Sequence, residues 1–255
     1  MLKKIIKFLL KVIIFFTGNY SFFKKNNNKK THDADIFLEC FQKNRINFFY
    51  YLKKSKSQIR QDMIVLNHLN FKKSGFFVEF GATNGKDLSN THLLEKSFSW
   101  QGILVEPARN WHKDLKKNRS VIIDHHCVYK ESGLLIDFNE QKISELSTIA
   151  NFLNNSSAEQ KSKTNKIYKI KTISLTDLME KYKAPKNIDY LSIDTEGSEY
   201  EILKNFDFQK YRFNIITCEH NYGANRKKIF TLLSKNGYKR KFKNLSKFDD
   251  WYFKQ

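Results

Sequence analysis

A chain of 255 residues that is 40% hydrophobic, with 23 Phe and 12 Tyr, holds enough apolar material for one α/β domain with added elements, or one domain plus a tail, which argues against a disordered chain. Its three cysteines, Cys40, Cys127 and Cys218, lie far apart and form no C-x-x-C, which excludes a zinc knuckle or redox dithiol and points to free thiols in a reducing compartment, the cytoplasm. The net charge of +20 admits a nucleic acid, an anionic membrane surface or an acidic substrate as partner, or simply a lysine- and asparagine-rich codon usage.

The basic residues concentrate at the ends: residues 1–32 carry eight lysines and no acid, and residues 224–255 carry ten Lys and Arg against Asp249 and Asp250. In residues 1–16, MLKKIIKFLLKVIIFF, lysines recur at helical spacing among Ile, Leu, Val and Phe. A helix there has a wide apolar face and a lysine stripe. Its lysine-free run, residues 12–16, is far short of the roughly 20 residues a membrane span needs. Three readings remain: a helix lying in an anionic membrane interface, a helix packed on the protein's own core, and a signal segment, the last weakened by Lys7 and Lys11 and by the lack of a small-x-small cleavage site. Residues 18–32 read as a solvated tether, leaving a domain over residues 33–255.

Within that domain, residues 33–72 form a helical lead-in, with apolar positions from Ile36 to Leu69 at helix-like intervals. Strands are expected at residues 76–80, 103–105, 121–123, 134–138, 167–173, 188–194, 213–218, 238–242 and 251–253. Helices are expected after Gly85, from Ser174 to Tyr182, after Ser198 with a Ser198/Glu201 capping box, and from Ile229 to Lys235 with a stop at Asn236-Gly237. The polar stretch 141–166 reads as an insertion or lid, with an apolar patch at Ile149 and Phe152. Alternating strands and helices describe an open, mostly parallel α/β sheet, which binds ligands beyond the carboxyl ends of its strands. Gly81, Glu106, Asp124, Asp194 and Glu219 all fall there.

Three groups of residues at those ends carry chemistry. In the loop Glu79-Phe80-Gly81-Ala82-Thr83-Asn84-Gly85, glycines permit a tight turn and a close ligand. Thr83 replaces the middle glycine of the dinucleotide fingerprint, which argues against a pyrophosphate, while Glu79 suits a ligand with an ammonium group. Glu106, 25 residues beyond Gly81, is placed to accept hydrogen bonds from a ribose diol. Asp194 and Glu196 alternate toward one side if their strand continues, and Glu219-His220 ends a later strand. Carboxylates gathered at one edge repel one another unless a cation or a proton is handled there. A divalent metal on Asp194, Glu196 and Glu219 is conceivable, though no spacing demands one.

The blocks EFGATNG, SNTHLLE, GILVEP, TISLTDLM, IDYLSIDTEGSEYEIL and IITCEHN occur in an order that resembles the FkbM-type methyltransferase family, over about residues 55–255. The upstream Gln58-Ile-Arg-Gln61-Asp62 is similar to an element of one branch. The resemblance implies a class I methyltransferase (Rossmann-like) fold, a seven-stranded, mostly parallel sheet flanked by helices, and S-adenosyl-L-methionine as cofactor. It implies that Gly81, Asn84 and Gly85, with Ala82 between them, line the methionine end, that Glu106 holds the ribose and that Asp124 lies near the adenine. Members often methylate hydroxyls of sugars or polyketide-like products, so the expected acceptor is a small molecule or glycan, such as a surface-polysaccharide precursor.

Transfer to a hydroxyl needs alignment and a base. His220 is the first candidate, Asp194 and Glu196 the second, with Glu219 orienting His220 or facing the acceptor; Asp194 also serves the cofactor. Two other classes compete: a basic RNA-binding protein or RNA methyltransferase, against which no N-P-P-Y-like block and no RNA-binding module is readable, and a catalytically silent membrane-associated scaffold on the same fold.

Overall fold

The computed structural model describes residues 27–41, 43–141, 147–149 and 166–255. Residues 1–16 lie outside these, and so does most of the polar stretch 141–166. From Asn27 the chain is helical and His32 and Asp33 are buried, so the solvated tether does not extend to residue 32. The lead-in is three helices, α1 (Asn27–Cys40), α2 (Arg45–Leu52) and α3 (Gln61–His68). No helix of the described residues is long and apolar enough to cross a membrane.

The apolar run FFVEF forms β1 (Phe76–Phe80), buried from Phe77 onward. It is followed by α4 (His92–Phe98), β2 (Gln101–Val105), a 3₁₀ turn (Arg109–Trp111), α5 (His112–Asn118) and β3 (Ile122–Asp124). Next come β4 (Cys127–Tyr129), β5 (Leu135–Glu140), β6 (Thr148–Ile149) and β7 (Lys166–Ser174). The chain ends with α6 (Leu175–Lys181), β8 (Asn187–Ile193), α7 (Glu199–Lys204), β9 (Arg212–Glu219), α8 (Asn225–Lys235), β10 (Tyr238–Lys241) and β11 (Asp249–Lys254).

Seven strands form one sheet in the order β10-β11-β9-β8-β1-β2-β3. All pair in parallel from β9 to β3, and β11 is antiparallel to both of its neighbours. This is the class I methyltransferase arrangement. Side chains alternate across each strand, so Phe77, Leu104 and Tyr190 pack with the lead-in helices on one face, while Val78, Ile103 and Leu191 pack with α6, α7 and α8 on the other. Burying each such side chain stabilises the fold by about 1.5–3 kcal/mol. The chain leaves β1 for β2 on one side and returns through β8 on the other, which opens a crevice at the carboxyl ends of β1 and β8.

Two expected strands belong elsewhere. Residues 134–138 and 167–173 fall on β5 and β7, which pair antiparallel in a separate four-stranded sheet, β4-β7-β5-β6. Their outer halves are exposed on alternate residues, the pattern of a one-sided sheet, unlike the continuous apolar runs of β1 or β8. The described part of the polar stretch, Thr148–Ile149, adds the edge strand of that sheet and is buried; Phe152 lies outside the described residues. The helix expected after Gly85 starts only at His92. Ser174 does cap α6, accepting from the Asp177 amide at 3.0 Å.

Candidate active site

A cavity of about 840 Å³ opens at the carboxyl ends of β1, β8 and β9. Glu79, Gly81 and Thr83 line it from the β1 loop, Asp194, Glu196 and Glu199 from the β8 loop, and Glu219, His220 and Asn225 from the β9 side. Gln58, Gln61 and Asp249 complete it from the lead-in and the start of β11. Six carboxylates line it and, among the described residues, no Lys or Arg does, although the chain as a whole carries +20. A smaller cavity of about 40 Å³ adjoins it, sharing Gly81, Thr83 and Asp194 and walled by Glu106, Val105, Phe138 and Ile149.

Gly81 is required by geometry. Its φ is +70°, and a Cβ there would stand 2.3 Å from the carbonyl oxygen of Asp194. Gly85 shapes the loop from behind: a Cβ would meet the Arg119 side chain at 2.6 Å, and Gly85 lines neither cavity. Arg119, a residue the sequence reading passed over, holds the whole loop. Its buried guanidinium pairs with Glu95, donates to the Gly85 carbonyl (3.1 Å) and to Ser89 and Thr91, and lies 3.6 Å from Glu79.

The other expected cofactor residues separate into those at the cavities and those away from them. Glu79 lines the main cavity, but its carboxylate accepts from Ser89 and from the Asn90 amide (2.7 Å). Burial pushes its pKa up, against the pull of Arg119. Glu106 walls the small cavity. One of its oxygens accepts from the Thr83 amide (2.7 Å) and the other from the Ala108 amide (2.8 Å). Burial raises its pKa to about 7 despite those two bonds. Ala82 is buried below the loop, and Asn84 caps its own turn by accepting from the amides of Lys86 and Asp87. Asp124 lines neither cavity: its carboxylate is already held by Lys181 (2.7 Å), Tyr182 (2.8 Å) and His126. Burial would raise its pKa, and those bonds outweigh burial and hold it at about 2.

Asp194, Glu196 and Glu219 converge, with oxygens all within 4.8 Å of one another. The cause is not a continuing strand. β8 ends at Ile193, and the chain turns through Glu196 (φ +55°) and Gly197 (φ +122°). Glu199 Oε1 fixes that turn by accepting from Thr195 N, Thr195 Oγ1 and Gly197 N at 2.9–3.0 Å. The Ser198/Glu201 capping box therefore does not form; the Ser198 hydroxyl donates to Thr195 instead. Burial raises the pKa of Asp194 and of Glu219, and in Glu219 the charges of Asp194 and Glu196 push the same way, so the pair shares a proton.

His220 lines the cavity with its lone pair turned away. Nδ1 accepts from the Tyr222 amide at 2.9 Å, which puts the ring hydrogen on Nε2, 3.7 Å from Asp250 Oδ1. Burial lowers its pKa, so the ring is neutral. The base first expected from the sequence thus has its accepting nitrogen, Nδ1, occupied by the Tyr222 amide, while the Asp194–Glu219 pair faces the cavity.

The methyltransferase FkbM domain matches residues 79–240 of this chain. The chain belongs to that family. Among solved structures it is similar to a methyltransferase FkbM from Methylobacillus flagellatus, with a TM-score of 0.48 and 12% identity over 89% of this chain and 55% of that one. It is also similar to a precorrin-6y C5,15-methyltransferase from Geobacter metallireducens (0.39, 10%, 76% and 87%) and to a METTL16 methyltransferase domain (0.41, 11%, 89% and 80%). This chain therefore spans about half the length of the similar FkbM structure. No curated protein matches it.

Membership implies S-adenosylmethionine, and the residues present fit it. The cavity is acidic where a sulfonium and an ammonium would sit, Gly81 leaves the room a Cβ would fill, and Asn90 Oδ1 is a buried acceptor with no hydrogen-bond partner among the described residues. Gln58, Gln61, Asn90 and Asp249 were not singled out from the sequence as site residues. The first two sit in the Gln58–Asp62 element that resembles one branch of the family, and Asn90 sits in the SNTHLLE block; Asp249 carried no signal.

Proposed function

We propose that this FkbM methyltransferase methylates a hydroxyl group of a sugar, glycolipid or polysaccharide precursor. The observation that carries the reading is the Asp194–Glu219 carboxyl pair, raised in pKa and facing a cavity whose other polar side chains are amides, hydroxyls, carboxylates and the His220 imidazole, with no Lys or Arg among the described residues. S-adenosylmethionine, when bound, supplies an electrophilic methyl group on a good leaving group. Glu106 has lone pairs left beyond those used by Thr83 and Ala108, enough to accept from a ribose diol. Asn90 Oδ1 and Asp194 are suited to the methionine ammonium. The pair Asp194–Glu219 takes the hydroxyl proton as the oxygen bonds to carbon, and its raised pKa brings it toward the range where a carboxylate is an effective base. Holding the hydroxyl in line with the methyl–sulfur bond contributes further.

The proposed setting is the cytoplasm, with residues 1–16 lying on the inner face of an anionic membrane where such precursors are assembled. Incubation with S-adenosylmethionine and a panel of neutral monosaccharides, read by mass spectrometry for a gain of one methyl group, tests the activity. Methylated sugar with wild type and a deep loss in Glu219→Gln is the expected result. Cofactor binding without transfer to any hydroxyl, or transfer only to amines, overturns it.

A further inference from the structure

Four residues lining the main cavity fall outside the family match over residues 79–240: Gln58, Gln61, Phe248 and Asp249. Two of them are joined directly. Gln61, the first residue of α3, donates from Nε2 to Asp249 Oδ2 at 2.8 Å, across 188 residues of sequence. Both side chains are buried, at 3% and 5% exposure, yet both border the cavity. The Gln61 carbonyl oxygen is turned by accepting from the Ile59 amide at 3.2 Å.

The segment that delivers Gln61 is held by interactions that the seven-stranded sheet does not need. Arg60 has φ +67°, a left-handed conformation that costs a non-glycine residue free energy. Its buried guanidinium makes a two-pronged pair with Asp33 of α1, at 2.8 and 3.0 Å. Ser57 bridges in parallel to Leu88, itself at the cavity. Replacing such buried ion pairs with apolar residues is often neutral or stabilising, so a buried pair behind a left-handed arginine at a cavity rim marks a wall held for a purpose other than stability.

The residues suited to the cofactor, Gly81, Asn90, Glu106 and Asp194, all lie inside the matched segment. An amide beside a carboxylate offers one group that donates and two that accept, which matches hydroxyls, which do both. With no Lys or Arg lining the cavity among the described residues, a phosphate or carboxylate on the acceptor would meet like charge and no counter-ion.

We infer that the Gln61–Asp249 pair, held by Arg60 and Asp33, is the acceptor-recognition wall, and that the part of the acceptor entering the cavity is an uncharged polyol. This deepens the hydroxyl-methyltransferase reading and rests on it. Gln61 and Asp249 touch acceptor hydroxyls; Arg60 and Asp33 are positioning residues that act through Gln61.

The test is steady-state methylation of neutral methyl glycosides, set against glucose 6-phosphate and glucuronic acid, by wild type, Gln61→Ala, Asp249→Asn and the double variant Gln61→Glu/Asp249→Asn. Cofactor affinity is measured in parallel by calorimetry. The expected result is a preference of about tenfold or more for neutral sugars, and a KM for sugar raised about tenfold in each single variant at unchanged cofactor Kd. The double variant keeps the hydrogen bond between α3 and β11 with its roles exchanged, so it folds and binds cofactor, and its sugar preference shifts. Single variants that bind cofactor and keep the wild-type KM for the same sugars overturn the inference, as does a preference for the anionic sugars. Wild type that binds cofactor and methylates no sugar overturns the hydroxyl reading itself, and this wall with it.

Discussion

The carbonyl oxygen of Asp194 lies 2.3 Å from where a Cβ on Gly81 would stand, so the loops after β1 and β8 touch backbone to backbone at the floor of the cavity. Gly81→Ala must either push β8 away or flip the loop, and its φ of +70° adds about 1–2 kcal/mol of strain. Cofactor affinity is expected to fall about thirtyfold or more by calorimetry, with far-UV circular dichroism unchanged. Gly133→Ala is the control: its φ is +84°, but a Cβ there meets nothing within 4 Å, so it carries the strain without the clash and leaves affinity intact. Equal affinity in wild type and Gly81→Ala would remove Gly81 from the cofactor site.

Glu106 gives cofactor binding a pH dependence of predictable sign. Burial raises its pKa to about 7, so below that pH the carboxyl is protonated and loses an acceptor site for a ribose diol. A group with a raised pKa that must be ionised to bind contributes fully above that pKa and is lost as pH falls through it. Affinity is therefore expected to rise from about pH 6 to about pH 8, and Glu106→Gln flattens part of that rise. Glu106→Ala costs about 10-fold to 100-fold in Kd, the worth of hydrogen bonds to a charged group. Affinity unchanged by Glu106→Ala would rule out the ribose role.

The sequence made the sheet and its chemical edge legible for one physical reason. A strand buried on both faces is a continuous apolar run, and Gly81, Glu106, Asp194 and Glu219 each follow such a run directly. What escaped depends on contacts distant in sequence. β5 and β7 are apolar runs too, and only their half-exposed alternation separates them from the main sheet. The His220 tautomer depends on one amide two residues away, and the failed Ser198 cap on the competing claim of Glu199. The Gln61–Asp249 contact joins segments 188 residues apart, and no periodicity announces it.

The occupied Nδ1 of His220 separates it from the carboxyl pair in a kinetic experiment. Removing a general base costs about 10²- to 10⁴-fold in rate. Glu219→Gln and Asp194→Asn are each expected to lower kcat by that order, whereas His220→Asn, which removes an imidazole already bonded to the Tyr222 amide, lowers it by less than about tenfold. Of the pair, Asp194 is the less strongly raised and loses its proton first, so log kcat rises with pH through an acid limb that Asp194→Asn removes and Glu219→Gln only displaces. A loss larger in His220→Asn than in Glu219→Gln would return the base to the histidine.

The basic residues 1–16 make a separable prediction about location. Each lysine near an anionic bilayer contributes about 1 kcal/mol, so Lys3, Lys4, Lys7 and Lys11 together favour the surface by about a thousandfold at low salt. Full-length protein is expected to float with vesicles containing phosphatidylglycerol, to float less with neutral vesicles, and to dissociate as salt screens the charges. A chain lacking residues 1–26 still contains α1 and every later element. Cofactor affinity should then be retained while flotation is lost. If the truncated chain floats as well as the full one, the surface lies elsewhere, and the ten Lys and Arg between residues 224 and 255 become the place to substitute. If truncation instead removes cofactor binding, residues 1–26 pack on the domain and the core-helix reading of the sequence holds in place of the interfacial one.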